Sequence, residues 1–233
     1  MTSRSEKWKS IWVKKGLIEG VPLHQADGFD SLSQDEWDDM VYQVTQNLGL
    51  KDGSSILDCG CGAGAFLLSL TKHYRDLDLV GVDYSESLLK MAMKKLVGKF
   101  YCSDIQYLSF LKDQSFDFAL SFSTFHYLPS ELSAEKVIRE MVRVTKKKGT
   151  VYIGEVSDLT KELDARIIRE KTHASQKKLS AEELDHLFLS KEFFYKLAEQ
   201  MSLVINIKDH TSFNLGDYGA AKYRYSVYLN KTE

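Results

Sequence analysis

The stretch that most constrains this chain is Ile56-Leu57-Asp58-Cys59-Gly60-Cys61-Gly62-Ala63-Gly64. A short apolar run ends in an acid, three glycines follow at alternate positions, and the apolar segment Ala65 to Tyr74 continues with helix-compatible residues. This pattern predicts a buried strand turning directly into a helix. Glycines let the backbone pass close to a ligand and adopt positive φ, and the first turn of the helix offers free N–H groups. The segment therefore reads as a loop that holds a small ligand.

Two ligands compete for it, a dinucleotide and S-adenosylmethionine (SAM). The dinucleotide fingerprint is G-x-G-x-x-G, its third glycine packing helix on strand, whereas the spacing here is G-x-G-x-G. Asp58 also ends the strand just before the loop, where a pyrophosphate meets a like charge and the ammonium of a methionyl group finds a partner. A second acid, Asp83, closes the next apolar run, Leu79-Val80-Gly81-Val82-Asp83. It stands about twenty residues past the loop, where a carboxylate accepts ribose hydroxyls. Asp58 favours the cationic ligand, and Asp83 is placed for a ribose.

On these residues, from about Gly53 to Glu155, the chain resembles the class I SAM-dependent methyltransferases of small-molecule type. The resemblance implies a Rossmann-like, doubly wound α/β fold: a mostly parallel seven-stranded sheet with an antiparallel last strand, helices on both faces and an N-terminal helical lid. It implies SAM as cofactor and S-adenosylhomocysteine as product. Carried over by position, the methionyl part meets Asp58, Gly60, Gly62 and Gly64, the ribose meets Asp83 with Tyr84, and the adenine meets Asp104 with Ile105. Cys61 and Ser121 join them beside the cofactor, and Trp12 becomes a lid residue.

A chain of 233 residues with 43% hydrophobic content buries one substantial core. We expect a single domain, with 1–50 as an N-terminal cap, 51–156 as the cofactor core, 157–189 as a substrate cap and 190–233 as the last helix and closing strands. The net charge of −2 and the dispersed Lys and Arg leave no nucleic-acid footprint. Three cysteines without a C-x-x-C pair supply neither a disulfide framework nor zinc, and no His spacing suggests another metal. With a polar N-terminus and no membrane-length apolar run, the chain reads as soluble and cytoplasmic.

In order, Trp8, Ile11 and Trp12 lie at helical spacing, and Pro22, His24 and Gly28 read as a loop. Ser33-Gln34-Asp35-Glu36 is a capping box ahead of Trp37, Met40, Val41, Val44 and Leu48. After the glycine loop, strands are expected to Asp83, near Lys99–Cys102, over Phe116–Phe122 and over Thr150–Val156. Ser85 caps one intervening helix, and another is expected from about Ser130 to Lys148, placing the Lys146–Lys148 run at a helix end. Ser190 starts a last helix before two closing strands, Leu203–Lys208 and Tyr223–Leu229. The β, α alternation argues for a parallel sheet whose ligands bind beyond the carboxyl ends of its strands.

The segment Ser121 to Pro129 follows the fourth strand and faces the transferable methyl group in the family's architecture. His126 titrates near neutral pH and is the candidate base. Phe122, Phe125 and Tyr127 suggest an apolar acceptor pocket, with oxygen slightly favoured as acceptor atom. Basic residues from Arg166 to Lys178 either meet an anionic acceptor or form a solvated helix face. A SAM-binding regulator without catalysis and a nicotinamide-dependent oxidoreductase stand as alternatives.

Overall fold

The computed structural model describes residues 4–176, 185–216 and 218–232. Successive side chains of the central strands enter two different cores. Leu57, Val80, Ala119 and Val151 point to one side of the sheet, whereas Ile56, Leu79, Phe118, Leu120 and Tyr152 point to the other. A strand buried on both faces in this way belongs in the middle of a three-layer sandwich.

The sheet runs β3-β2-β1-β4-β5-β7-β6. Its strands are β1 (Ser55–Cys59), β2 (Asp78–Asp83), β3 (Lys99–Cys102), β4 (Phe116–Phe122), β5 (Thr145–Ser157), β6 (Val204–Asp209) and β7 (Arg224–Asn230). The first five are parallel, and β7 lies antiparallel to both β5 and β6. This is the doubly wound sheet with an antiparallel last strand that the sequence implies.

The helices are α1 (Arg4–Lys15), α2 (Leu23–Ala26), α3 (Gln34–Thr45), α4 (Ala65–Leu70), α5 (Glu86–Met93), α6 (Glu131–Val144), α7 (Glu162–Gln176) and α8 (Lys191–Gln200). Helices α3 and α4 cover one face of the sheet through Trp37, Val41, Phe66 and Leu70. Helices α6 and α8 cover the other through Val137, Met141, Phe194 and Leu197. The Ser33/Glu36 capping box forms as expected, and Ser85 and Ser190 each accept an amide at their helix starts.

Two local readings need correction. The helix expected to reach Lys148 ends at Val144, because Thr145 turns extended, pairs with Phe116 and bonds its hydroxyl back to Met141 O. The lysine run thus opens β5, and Lys146 Nζ reaches Asp117 Oδ1 at 3.0 Å. The loop expected around Pro22 and His24 contains the single turn α2, with Pro22 fixing the entry where no amide is needed. In the stretch read as a substrate cap, residues 162–176 form one helix, while Lys177 and Lys178 lie outside the described residues.

Candidate active site

Strands β1, β2 and β4 end together, and a cleft opens beyond their carboxyl ends. Asp58 and Asp83 line its floor with Gly60, Cys61 and Tyr84, while Phe122, Ser123, Thr124 and Tyr127 come from the end of β4. Trp12 from α1, Asp27, Phe29 and Trp37 close it from the N-terminal side. The backbone is built for close approach: Gly60, Gly62 and Gly64 all have φ between +52° and +81°. A Cβ at Gly60 would collide with Thr124 and one at Gly62 with the Asp27 carboxylate. Gly64 serves packing instead, since a side chain there would meet Leu96 and Ala92.

The acids carry the electrostatics. Asp58 is 1% exposed, and its Oδ1 has no hydrogen-bond partner. Burial, then repulsion from Asp27 and Asp83, pushes its carboxyl well above the usual range. Asp83 accepts the amides of Gly62 at 3.0 Å and Ser85 at 2.8 Å, yet burial still raises it to about 6. Asp27 is raised to about 7, again chiefly by burial and against the amides of Ala63 and Ala65 that it accepts. Three carboxylates around one cleft with an orphaned buried oxygen fit a cationic ligand. The same arrangement disfavours a pyrophosphate.

Other expected positions sit differently. Ser121 is buried and donates to Cys59 O at 2.8 Å, bracing β4 against β1. Ile105 and Phe125 are packed in the core among the side chains of α6. Asp104 is exposed and accepts the Gln106 amide at 2.9 Å, outside the set of residues that line the cleft. Cys59 and Cys61 are buried, and burial pushes both thiols up, as suits packing residues. Trp8 and Trp12 both pack on Tyr127, with centroids 4.5 and 5.2 Å away, so α1 roofs the end of β4.

His126 lies behind Tyr127, 1% exposed, with ring centroids 4.0 Å apart. Arg224 Nη1 stands 2.6 Å from its Nδ1. The same Nδ1 lies 3.3 Å from Glu155 O, so a guanidinium and a main-chain carbonyl both face it. Burial, then the charges of Arg224 and Arg169, holds the imidazole well below its usual pKa and therefore neutral. Nδ1 is thus engaged within this buried group by Arg224 and Glu155.

Behind it lies a buried polar group that sequence reading did not assemble. Glu155, at φ +62°, places Oε1 2.7 Å from His210 Nδ1 and accepts the Tyr218 hydroxyl at 2.7 Å. His210 in turn meets Ser226 Oγ at 2.8 Å. Burial pushes Glu155 up, but His210, Arg224 and Tyr218 together hold it below its ordinary value. No spacing links residues 126, 155, 210 and 224; the sheet order alone brings β5 and β7 side by side. Asp27, Phe29 and Trp37 were likewise silent in sequence as cleft residues, being an unremarkable acid and two core aromatics.

Fold and cleft together define a doubly wound α/β protein with an acidic, aromatic-walled cleft at its strand ends. Residues 57–153 match the family described as a methyltransferase domain. Among curated proteins, the mouse "Probable tRNA methyltransferase 9B" is 28% identical over 62% of this chain and 30% of its own length. The demethylmenaquinone methyltransferase of Staphylococcus aureus is 30% identical over 51% of this chain and 49% of its own. A solved SAM-dependent methyltransferase from Aquifex aeolicus superposes with a TM-score of 0.60 over 91% of this chain and 99% of its own, at 20% identity. Residues 57–153 thus carry a methyltransferase domain, set in a fold shared with solved SAM-dependent methyltransferases. The chain matches less than half the length of each of these two curated relatives.

Proposed function

We propose that this chain transfers a methyl group from SAM to the oxygen of a small anionic acceptor. The observation that carries the cofactor half is the orphaned Oδ1 of buried Asp58 beside the glycine loop. It fits the methionyl ammonium, with Gly60 and Gly62 allowing close approach and Asp83 with Tyr84 receiving the ribose. By family position, Asp104 and Ile105 would flank the adenine. Bound there, SAM supplies a methyl already activated on a sulfonium. The protein's share is then to orient the nucleophile in line with the sulfur–carbon bond and exclude water, which contributes up to roughly 7–11 kcal/mol.

The acceptor half rests on Tyr127 and what lies behind it. Trp12, Phe29, Trp37, Phe66 and Phe122 make an aromatic wall suited to a small molecule. Burial pushes the Tyr127 hydroxyl up, and against it the buried guanidiniums of Arg224 and Arg169 act in the sense that favours negative charge there. Arg166 belongs to the helix surface instead, paired with Glu162 at 2.7 Å and Asp185 at 3.5 Å. With His126 buried, held neutral and engaged by Arg224, a nucleophile already deprotonated near neutral pH, such as a carboxylate oxygen, suits the site. The net charge of −2 and the roof of α1 argue for a metabolite over a nucleic acid.

The test begins with thermal shifts using S-adenosylhomocysteine, SAM and NAD. Ligand at about 100 times its Kd stabilises by roughly 2.7 kcal/mol, or about 5–10 °C for a domain of this size. Labelled methyl transfer from SAM is then followed into a pool of small carboxylic acids and, separately, into tRNA. A shift by NAD alone overturns the cofactor assignment. Label entering only tRNA overturns the acceptor assignment, and binding with no transfer beyond a heat-killed control favours a regulatory binder.

A further inference from the structure

Asp27 lines the cleft but belongs to no motif in the sequence. It follows α2, in a strap of residues 21–32 that crosses the glycine loop. Both of its oxygens are engaged: Oδ1 accepts the Ala63 amide at 2.6 Å and Oδ2 the Ala65 amide at 3.1 Å. The approach depends on Gly62, whose missing Cβ leaves room for the carboxylate.

For a contact that only held the strap down, the charge is misplaced. Asp27 repels Asp58 and Asp83, and Lys15 is the cation that acts on it. A neutral oxygen such as that of Asn or Ser would accept amides there without this repulsion. The strap also leaves little room, because the cavity at the strand ends is about 70 Å³. Sites for drug-sized ligands run to about 300–1,000 Å³. A ligand spanning Asp58 and Asp83 therefore requires the wall to open, and the strap supplies Asp27 and Phe29 to that wall. The orphaned oxygen of Asp58 in the same cavity is the independent sign that a ligand does enter.

Resting on the reading that this cleft takes SAM, we propose that Asp27 is a displaceable bolt. Its carboxylate occupies the loop amides of Ala63 and Ala65 until the amino-acid carboxylate of the entering cofactor takes them, and the strap then swings clear. The bolt exchanges one carboxylate for another on the same donors, so opening leaves no amide unpaired. What remains to be broken is the strap's packing, Ala26 and Leu23 against α5 and Ala63 and Phe29 on Trp37 and Phe122, together with the Lys15 contacts to Gln25 O and Asp30. The Ser87 hydroxyl, which donates to Val13 O at 2.8 Å, keeps α1 attached meanwhile.

The experiment compares wild type, Asp27→Ala and Asp27→Asn by calorimetry and by stopped-flow tryptophan fluorescence. The probes are S-adenosylhomocysteine, which carries the carboxylate, and 5′-methylthioadenosine, which lacks the amino-acid end. Asp27→Ala should bind S-adenosylhomocysteine at least fivefold tighter and faster, with 5′-methylthioadenosine changed less than twofold. Weaker binding of S-adenosylhomocysteine would make Asp27 a cofactor ligand, unchanged binding a structural contact, and an equal gain for both probes a nonspecific loosening. Each of these overturns the bolt. Should the variants fail to fold, hydrogen exchange on wild type decides: saturating S-adenosylhomocysteine should speed exchange across residues 21–32, and slowed or unchanged exchange overturns the proposal. If wild type binds neither S-adenosylhomocysteine nor SAM, the cofactor reading and the bolt fall together. If it binds them without the expected gain in Asp27→Ala, the bolt alone falls.

Discussion

Replacing Asp58 with Asn should move stability and affinity in opposite directions. The carboxylate is buried among Asp27 and Asp83 with one oxygen unpaired, so its charge destabilises the ligand-free fold. Leaving a buried polar group unsatisfied costs about 1–3 kcal/mol, and more when charged. The isosteric amide removes the charge, and at about 2–4 °C per kcal/mol the melting temperature should rise by roughly 2–10 °C. The same change takes the partner from a bound ammonium, which for a desolvated pair costs about 2–5 kcal/mol. Taking about 3 kcal/mol, Kd for S-adenosylhomocysteine rises roughly 150-fold. Differential scanning calorimetry with and without ligand reads both quantities. The effect should depend on pH. Because the folded pKa of Asp58 is raised, the penalty is absent below the unfolded value, grows as pH rises through the interval, and is complete above the folded value. Asp83 and Asp27, raised to about 6 and about 7, act in the same sense, so ligand-free wild type should be more stable at pH 6 than at pH 8. In Asp58→Asn that difference should shrink. A variant that melts lower and also binds worse would mean that Asp58 has a structural partner and that its charge was never the destabilising element.

Two further substitutions test the surroundings. Gly60→Ala forces a side chain onto a left-handed backbone position against Thr124, and should cost about 2–4 kcal/mol in denaturant unfolding, within the range of large point-mutant effects. A loss under 1 kcal/mol would show that the loop relaxes freely. Glu155→Gln removes the carboxylate facing His210 and Arg224, and breaking a buried pair costs about 3–5 kcal/mol. The depressed pKa of Glu155 contributes stability above the unfolded carboxylate pKa that is lost as pH falls through the folded one, so the variant should flatten the acid limb of a pH–stability curve. An unchanged acid limb would assign that limb to other carboxylates.

Local patterns in the chain were sufficient for the elements of the sheet and for the floor of the cleft. An apolar run, an acid and spaced glycines specify a strand, a turn and a helix through backbone sterics that act within about ten residues. The capping serines at 33, 85 and 190 work at the same range. Local signals misled at Lys146–Lys148, where helix-compatible charges were drawn into β5 because Phe116 offered Thr145 a pairing partner. They also could not weigh His126. Its residue type suggests a base, but Arg224, whose guanidinium stands against its Nδ1, is 98 residues away.

By itself, then, the sequence determined the doubly wound sheet, the glycine turn and the acids Asp58 and Asp83 at its edge, because each follows from dihedral preference, strand alternation or charge placed next to the loop in the chain. Tertiary structure decided which of the remaining polar groups meet. It set Asp27 on the amides of Ala63 and Ala65, Arg224 against His126 and Glu155, and Trp12 over Tyr127. Those contacts join segments far apart in sequence, and burial there multiplies the worth of every charge, so neither the pairing nor its energy is written in any local pattern.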